Sequence, residues 1–172
     1  IKPAVSAGSQ DTGRYDLADR EHRRLAVAHV RRLSDAGRVT MVQPYLTAVD
    51  TVGETALLFL AGPQGLAFSH AIRKGPMLSG PDFGVVGLYR PEEITARTAT
   101  EEQLAVAEKT LAAVPGGAER LLYARVDLIP GPDGRPVLVE LELTEPSLFL
   151  GHAAGAPERL AEAILTHLAR HR

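Results

Sequence analysis

Apolar and polar positions alternate cleanly near the end of the chain. Val137, Val139, Leu141 and Leu143 take every second place, and Glu140 and Glu142 fall between them. A period of two predicts a strand with one apolar and one acidic face. On the preceding run, Leu122, Val126 and Leu128 share the apolar face, leaving Tyr123, Arg125 and Asp127 with the acids. Pro132-Asp133-Gly134-Arg135 lies between the two runs, and Asp-Gly is the signal of a two-residue hairpin turn. With Asp133 and Gly134 at the tip, Asp127 opposes Glu140, Arg125 opposes Glu142 and Ile129 opposes Leu138.

Elsewhere the period lengthens to that of helices. Asp19 caps a helix expected from about Arg20 to Ala36, with Leu25, Val30 and Leu33 among its apolar positions and Gly37 stopping it. Thr100 and Gln103 form a capping-box pattern, opening a helix to about Val114 with Leu104, Ala107 and Leu111 on one side. Pro157 suits the first turn of a closing helix from Glu158 to about Ala169. Ile1 to Val5 reads as the end of a strand and Val39 to Tyr45 as another. Glu54–Leu60 and Gly65–Ile72 read as a hairpin joined through residues 61–64. Residues 75–99 are rich in Gly and Pro and show no period, as in a long active-site loop or a partly disordered one. Hairpins with helices of comparable number predict an α+β fold with antiparallel sheets rather than a βαβ series.

Composition narrows the chemistry. The 172 residues suit one ordinary domain or a piece of a larger one, and 45% hydrophobic residues suffice for a core. A net charge of −2 supplies no electrostatic argument for nucleic acid or a membrane surface, so neither is expected as a partner. The absence of Cys excludes disulfides, thiolate metal sites and Cys nucleophiles. No apolar run approaches the ~20 residues that span a bilayer, and the start lacks a signal peptide's apolar stretch, which makes the cytoplasm the default location. The chain opens on Ile1 inside what reads as a strand, so an upstream part is expected to be missing.

The acidic hairpin carries the candidate chemistry. Directly opposed residues have Cβ atoms ~5 Å apart, where like charges destabilise a ladder. Asp127 against Glu140, with Glu142 two residues along, favours a cation, and an all-oxygen set suits Mg²⁺. The residues alone also allow a solvated face, with Arg125–Glu142 a surface ion pair worth at most ~1 kcal/mol.

Arg125-Val126-Asp127, then Val139-Glu140-Leu141-Glu142, then Glu145-Pro146-Ser147, resembles the carboxy-terminal signature of ATP-grasp ligases. There an Asp on one strand and a Glu-x-Asn on the next bind two Mg²⁺ ions. Lys2-Pro3 with the small loop behind it is similar to the family's phosphate-contacting lysine and glycine-rich loop. Val42-Gln43-Pro44-Tyr45-Leu46 resembles its adenine-binding hinge strand, and Gly53-Glu54 the acidic residue that binds ribose. Ser69-His70-Ala71-Ile72-Arg73-Lys74 is similar to a segment of relatives near glutathione synthetase and the cycloserine-forming cyclo-ligase. The resemblance runs through nearly the whole chain in order. It departs at Glu142, which replaces the usual Asn, and in the absence of the family's amino-terminal domain and the start of its nucleotide-binding lobe.

The resemblance implies two small lobes around a nucleotide cleft. Residues 1–46 would be a partial first lobe with phosphate loop, helix and adenine hinge, and 47–172 a second lobe with the metal-binding hairpin. It implies ATP and Mg²⁺ (two ions) as cofactors, with small-molecule carboxylate and amine substrates, and leaves a homo-oligomer open. Lys2, Gly8, Ser9 and Thr12 are then expected at the phosphates, with Lys74 or its neighbour Arg73 joining them. Gln43, Tyr45 and Leu46 are expected at adenine, and Glu54 in preference to Asp50 at ribose. Asp127, Glu140 and Glu142 would hold metal, Arg125 and Lys2 would stabilise developing charge, and His70 and Ser147 are either substrate contacts or structural. The implied reaction is ATP-dependent joining of a carboxylate to an amine or thiol through an acyl phosphate. A non-catalytic ATP-binding fragment or a regulatory relative is the alternative.

Overall fold

The computed structural model describes residues 1–6, 8–82 and 92–170, and they form two compact units. The first comprises Ile1–Tyr45 with Pro76–Glu92, and the second Leu46–Gly75 with Glu93–Arg172. Ala7, in the loop expected at the phosphates, and residues 83–91 of the Gly/Pro-rich stretch lie outside the described residues.

In the first unit, β1 (Lys2–Pro3) pairs antiparallel with β2 (Thr40–Met41). Both are shorter than the sequence suggests, because the flanking Val5, Val39 and Val42 are well exposed and give a longer ladder nothing to bury. α1 (Arg20–Asp35) begins where Asp19 accepts the His22 amide proton at 2.8 Å. It ends in a left-handed Gly37 (φ 69°), with Gly37 N–H bonded to Ser34 and Arg38 N–H to Leu33, which satisfies the last carbonyls. Its inward face is Ala26, His29 and Leu33.

The second unit is built on a five-stranded antiparallel sheet of β3 (Glu54–Gly62), β4 (Gly65–Lys74), β5 (Ile94–Arg97), β6 (Tyr123–Pro130) and β7 (Pro136–Glu142). Their order is β5-β4-β3-β6-β7. β5 comes from the stretch for which the sequence shows no element. α2 (Glu101–Ala112) opens with the expected capping box and covers one sheet face through Ala107 and Leu111, packed on Leu57, Phe59, Val126 and Leu128. Each large side chain so buried contributes ~1.5–3 kcal/mol. α3 (Ala156–Arg170) has Pro157 in its first turn and packs Ala163 against Leu60 and Ala61. Neither helix nor any other among the described residues is long and apolar enough to cross a membrane.

Both hairpins carry one extra residue. In β6–β7 the pairs Arg125–Glu142 and Asp127–Glu140 stand as expected, but Ile129 opposes Val137 rather than Leu138. The loop is five residues, Gly131 to Arg135, closed by Gly131 N–H to the Arg135 carbonyl, and not a two-residue turn. A bulge next to Asp127 then restores the register. Val137, Leu138 and Val139 are each about 40% exposed on this edge strand, so on β7 and just after it the expected apolar face packs on the core only at the partly buried Leu141 and Leu143.

Candidate metal centre

The sheet face opposite α2 collects the charged residues. In the β3–β4 register Glu54 opposes Lys74, and in β3–β6 Ala56 opposes Asp127. Gly53 enters β3 at φ 78°, and a Cβ there would come within 2.6 Å of the Lys74 carbonyl oxygen. That approach, which only glycine permits, sets Glu54 beside Lys74. The Lys74 side chain crosses β3 on the face of Glu54 and Ala56, and its Nζ donates to Asp127 Oδ2 at 2.7 Å while pairing with Glu54. The small Ala56 side chain leaves room for that crossing.

Arg125 grips Asp127 with two donors, Nε to Oδ1 and Nη2 to Oδ2, both at 2.9 Å. The same Nη2 lies 2.5 Å from Glu142 and 3.6 Å from Glu140. Asp127 is fully buried and Arg125 only 5% exposed, so their ion pair is an internal one. Glu140 and Glu142 lie toward solvent, at 54% and 29% side-chain exposure. Burial works to lower the Arg125 pKa, but bonding to Asp127 and the charges of Asp127, Glu142 and Glu140 raise it. Burial likewise works against Lys74, and Asp127 and Glu54 reverse it, holding the ammonium above its ordinary value. Glu54 gives way instead: burial, opposed by Lys74 and reinforced by Asp127, pushes its pKa up to about 7.

One oxygen each from Asp127, Glu140 and Glu142 lies within 4.8 Å of the others. Three carboxylates with no nitrogen or sulfur donor form a hard set that fits Mg²⁺. The segment after β7 lies over this face. Leu148 and Phe149 pack on Ala56, Leu58 and Ile72, and the Phe149 ring lies 5.7 Å from the Arg125 guanidinium carbon. Phe149 holds a left-handed backbone (φ 49°), as does Glu145 (φ 48°), a conformation that costs a non-glycine residue about 1–3 kcal/mol. His70 fastens the segment: its Nε2 bonds the Leu148 carbonyl at 2.9 Å, and its Nδ1 lies 2.9 Å from Ser69 Oγ, which Arg159 also contacts. This His70 is structural. Ser147 offers its carbonyl to Arg125 at 3.5 Å, so its backbone, too, belongs to the packing.

The other expected site residues are distributed between the units. Arg73 turns to the opposite sheet face and bonds the Val52 carbonyl, away from Lys74. Leu46 precedes the 3₁₀ turn Thr47–Asp50 of the second unit. In the first unit, the Ile1 nitrogen donates to the Gly13 carbonyl at 3.0 Å and the Gly13 N–H to the Ile1 carbonyl at 2.9 Å, closing the loop behind Lys2. Gly8 and Ser9 in that loop both have positive φ, and Thr12 donates its amide proton to the Ser9 carbonyl. Tyr45 is stacked by Arg14, 4.2 Å from the ring centroid, while Gln43 is exposed.

One cluster has no counterpart in the expected site. Buried His29 receives the Tyr15 hydroxyl on Nδ1 at 2.7 Å and places Nε2 3.0 Å from the Asp11 carbonyl and 3.3 Å from Asp82. Its place on the helical stripe, three residues after Ala26 and four before Leu33, was the available signal.

No family model matches the sequence. The chain nonetheless belongs to the ATP-grasp superfamily, as its similarity to the following relative shows. It is 40% identical over 171 residues to the cycloserine biosynthesis protein DcsG of Streptomyces lavendulae, a match covering 98% of this chain and 54% of that protein. The crystal structure of the D-cycloserine synthetase DcsG superposes with a TM-score of 0.78 at 37% identity, over 97% of this chain and 54% of the other. D-alanyl-alanine synthetase A from Vibrio cholerae shares the fold at a TM-score of 0.51 and 14% identity, over 87% and 46% of the two chains. The chain thus spans about half the length of the relatives it matches.

Proposed function

We propose that this chain is the Mg–ATP-binding portion of an ATP-dependent ligase that joins a carboxylate to an amine or related nitrogen through an acyl phosphate. The observation that carries the reading is the set of Asp127, Glu140 and Glu142 oxygens gathered beside two buried cations, Lys74 and Arg125. Support for a ligase reading comes from the 40% identity to a protein named for cycloserine biosynthesis.

Asp127, Glu140 and Glu142 would hold Mg²⁺, which when bound supplies charge neutralisation for nucleotide phosphates. Lys74, held between Asp127 and Glu54, and Lys2 would present ammonium groups to phosphate oxygens as point charges. Gly8 and Ser9 offer backbone N–H groups to the same phosphates, and Thr12 adds a hydroxyl. Gln43, Tyr45 and Leu46 line adenine, and Glu54 accepts from ribose hydroxyls. A substrate carboxylate oxygen bonds to the γ-phosphorus as the bond to the β-bridging oxygen breaks and ADP leaves. Nitrogen then bonds to the acyl carbon, the carbon–oxygen bond to phosphate breaks, and the nitrogen loses a proton. Arg125 opposes the negative charge that builds on the transferred phosphoryl and acyl oxygens. The protein's task is positioning and charge, and no side-chain nucleophile is needed.

ADP release in the presence of a panel of amino-acid carboxylates tests this reading, and release that depends on both carboxylate and Mg²⁺ is expected. A second reading is nucleotide binding without turnover. Mg²⁺-dependent ATP binding with no ADP release on the complete protein would establish it.

A further inference from the structure

Arg125 Nη2 lies among the three oxygens-only ligands themselves. It is 2.9 Å from Asp127, 2.5 Å from Glu142 and 3.6 Å from Glu140, the three residues whose oxygens could share one metal ion. Mg²⁺ draws its oxygens to 2.0–2.1 Å, so a bound ion and a guanidinium nitrogen compete for the same carboxylate lone pairs and repel each other. Lys74, by contrast, reaches only Asp127 and Glu54 from the far side of β3.

We propose that Arg125 is an exchangeable internal cation: its guanidinium holds the Asp127–Glu140–Glu142 set together in the metal-free state and leaves it when a divalent ion binds. This rests on the reading of these acids as the Mg–ATP centre. Glu142, where the family pattern has Asn, adds a 2.5 Å contact to the resting guanidinium beside its two-donor grip on Asp127. Exchange has two consequences. A divalent ion alone binds weakly, because it must evict a buried, well-bonded partner. Nucleotide phosphates strengthen its binding, because they receive the released guanidinium. Arg suits the post better than Lys, since its planar fork bonds Asp127 through Nε and Nη2 while the same Nη2 also reaches the glutamates.

The test is Mn²⁺ alone, titrated without nucleotide into wild type, Arg125→Gln and Lys74→Gln, with free Mn²⁺ read by electron paramagnetic resonance. Arg125→Gln is expected to bind Mn²⁺ about tenfold or more tightly than wild type, equivalent to ~1.4 kcal/mol. Lys74→Gln, which removes the same charge but not the bridge, is expected to gain much less. An unchanged or weakened affinity in Arg125→Gln, or an equal gain in both variants, overturns the proposal. Should Arg125→Gln fail to fold without metal, Mn²⁺ must restore a cooperative thermal melt, and a variant that Mn²⁺ does not rescue overturns it equally. Calorimetry of wild type with Mg–ATP separates the two layers. Binding there with no gain in Arg125→Gln defeats the exchange alone, and no binding defeats the reading beneath it.

Discussion

Asp127 shows how a single residue becomes a site. It is fully buried, and Lys74 and Arg125 supply opposite charge and hydrogen bonds to it from two neighbouring directions. Removing one partner of such a buried pair costs about 3–5 kcal/mol, because it leaves the other charge uncompensated. Ala56 is the silent member of the group. Ala56→Leu is expected to intrude on the Lys74 side chain's path, destabilise the fold by about 1–3 kcal/mol in denaturant titration, and weaken nucleotide binding with it. Glu142→Asn restores the usual family residue and leaves Asp127 and Glu140 in place. It is expected to keep Mg–ATP affinity within about tenfold of wild type by calorimetry, a window of ~1.4 kcal/mol. The acids and their arginine partner were legible from alternation alone. That Arg125 sits among all three was not, because a side chain's reach along a face is set by neighbours on other strands.

At the level of elements, the hairpin β6–β7 was read correctly at its acids for a reason the turn signal does not contain. The loop is longer than Asp-Gly implies, and the bulge beside Asp127 adds the compensating residue on β7. Pairs near the tip therefore shift by one, while Asp127–Glu140 and Arg125–Glu142 do not. The same device in β3–β4, between Leu58 and Phe59, puts Glu54 opposite Lys74, a pairing invisible without the bulge. The helices were easier, since Asp19, Gly37 and the Thr100–Gln103 box act locally and need no distant partner. β5 was missed because a four-residue edge strand amid Gly and Pro has no period to display. Gly53→Ala should expose how tightly β3 is seated. A positive φ and the 2.6 Å approach to Lys74 predict a loss of more than about 1 kcal/mol, read from the shift in the urea midpoint.

The whole molecule is two units of different character. The second is held by a sheet and two helices. The first is short of strands and relies on a polar cluster in which His29 is neutral: Nδ1 accepts from Tyr15, and Nε2 faces the Asp11 carbonyl and Asp82. Burial lowers the His29 pKa, only partly offset by Asp82, while Arg32 adds to the lowering. A depressed folded-state value means its contribution is present above the unfolded value near 6.5 and is lost as pH falls through the folded one. The melting temperature is therefore expected to drop as pH is lowered below about 6.5. His29→Gln should start lower and show a flatter profile; an equally steep profile would remove His29 as the cause.

The central claim is that Asp127, Glu140 and Glu142 hold a divalent cation together with a nucleotide. Calorimetric titration of the chain with ATP, in Mg²⁺ and again in chelator, tests it most directly when repeated on Glu140→Ala, which removes a half-exposed ligand and spares the buried pairs. The account predicts binding in wild type only with Mg²⁺ and its loss in the folded variant. Equal binding of ATP by Glu140→Ala and wild type, or binding indifferent to Mg²⁺, would contradict it.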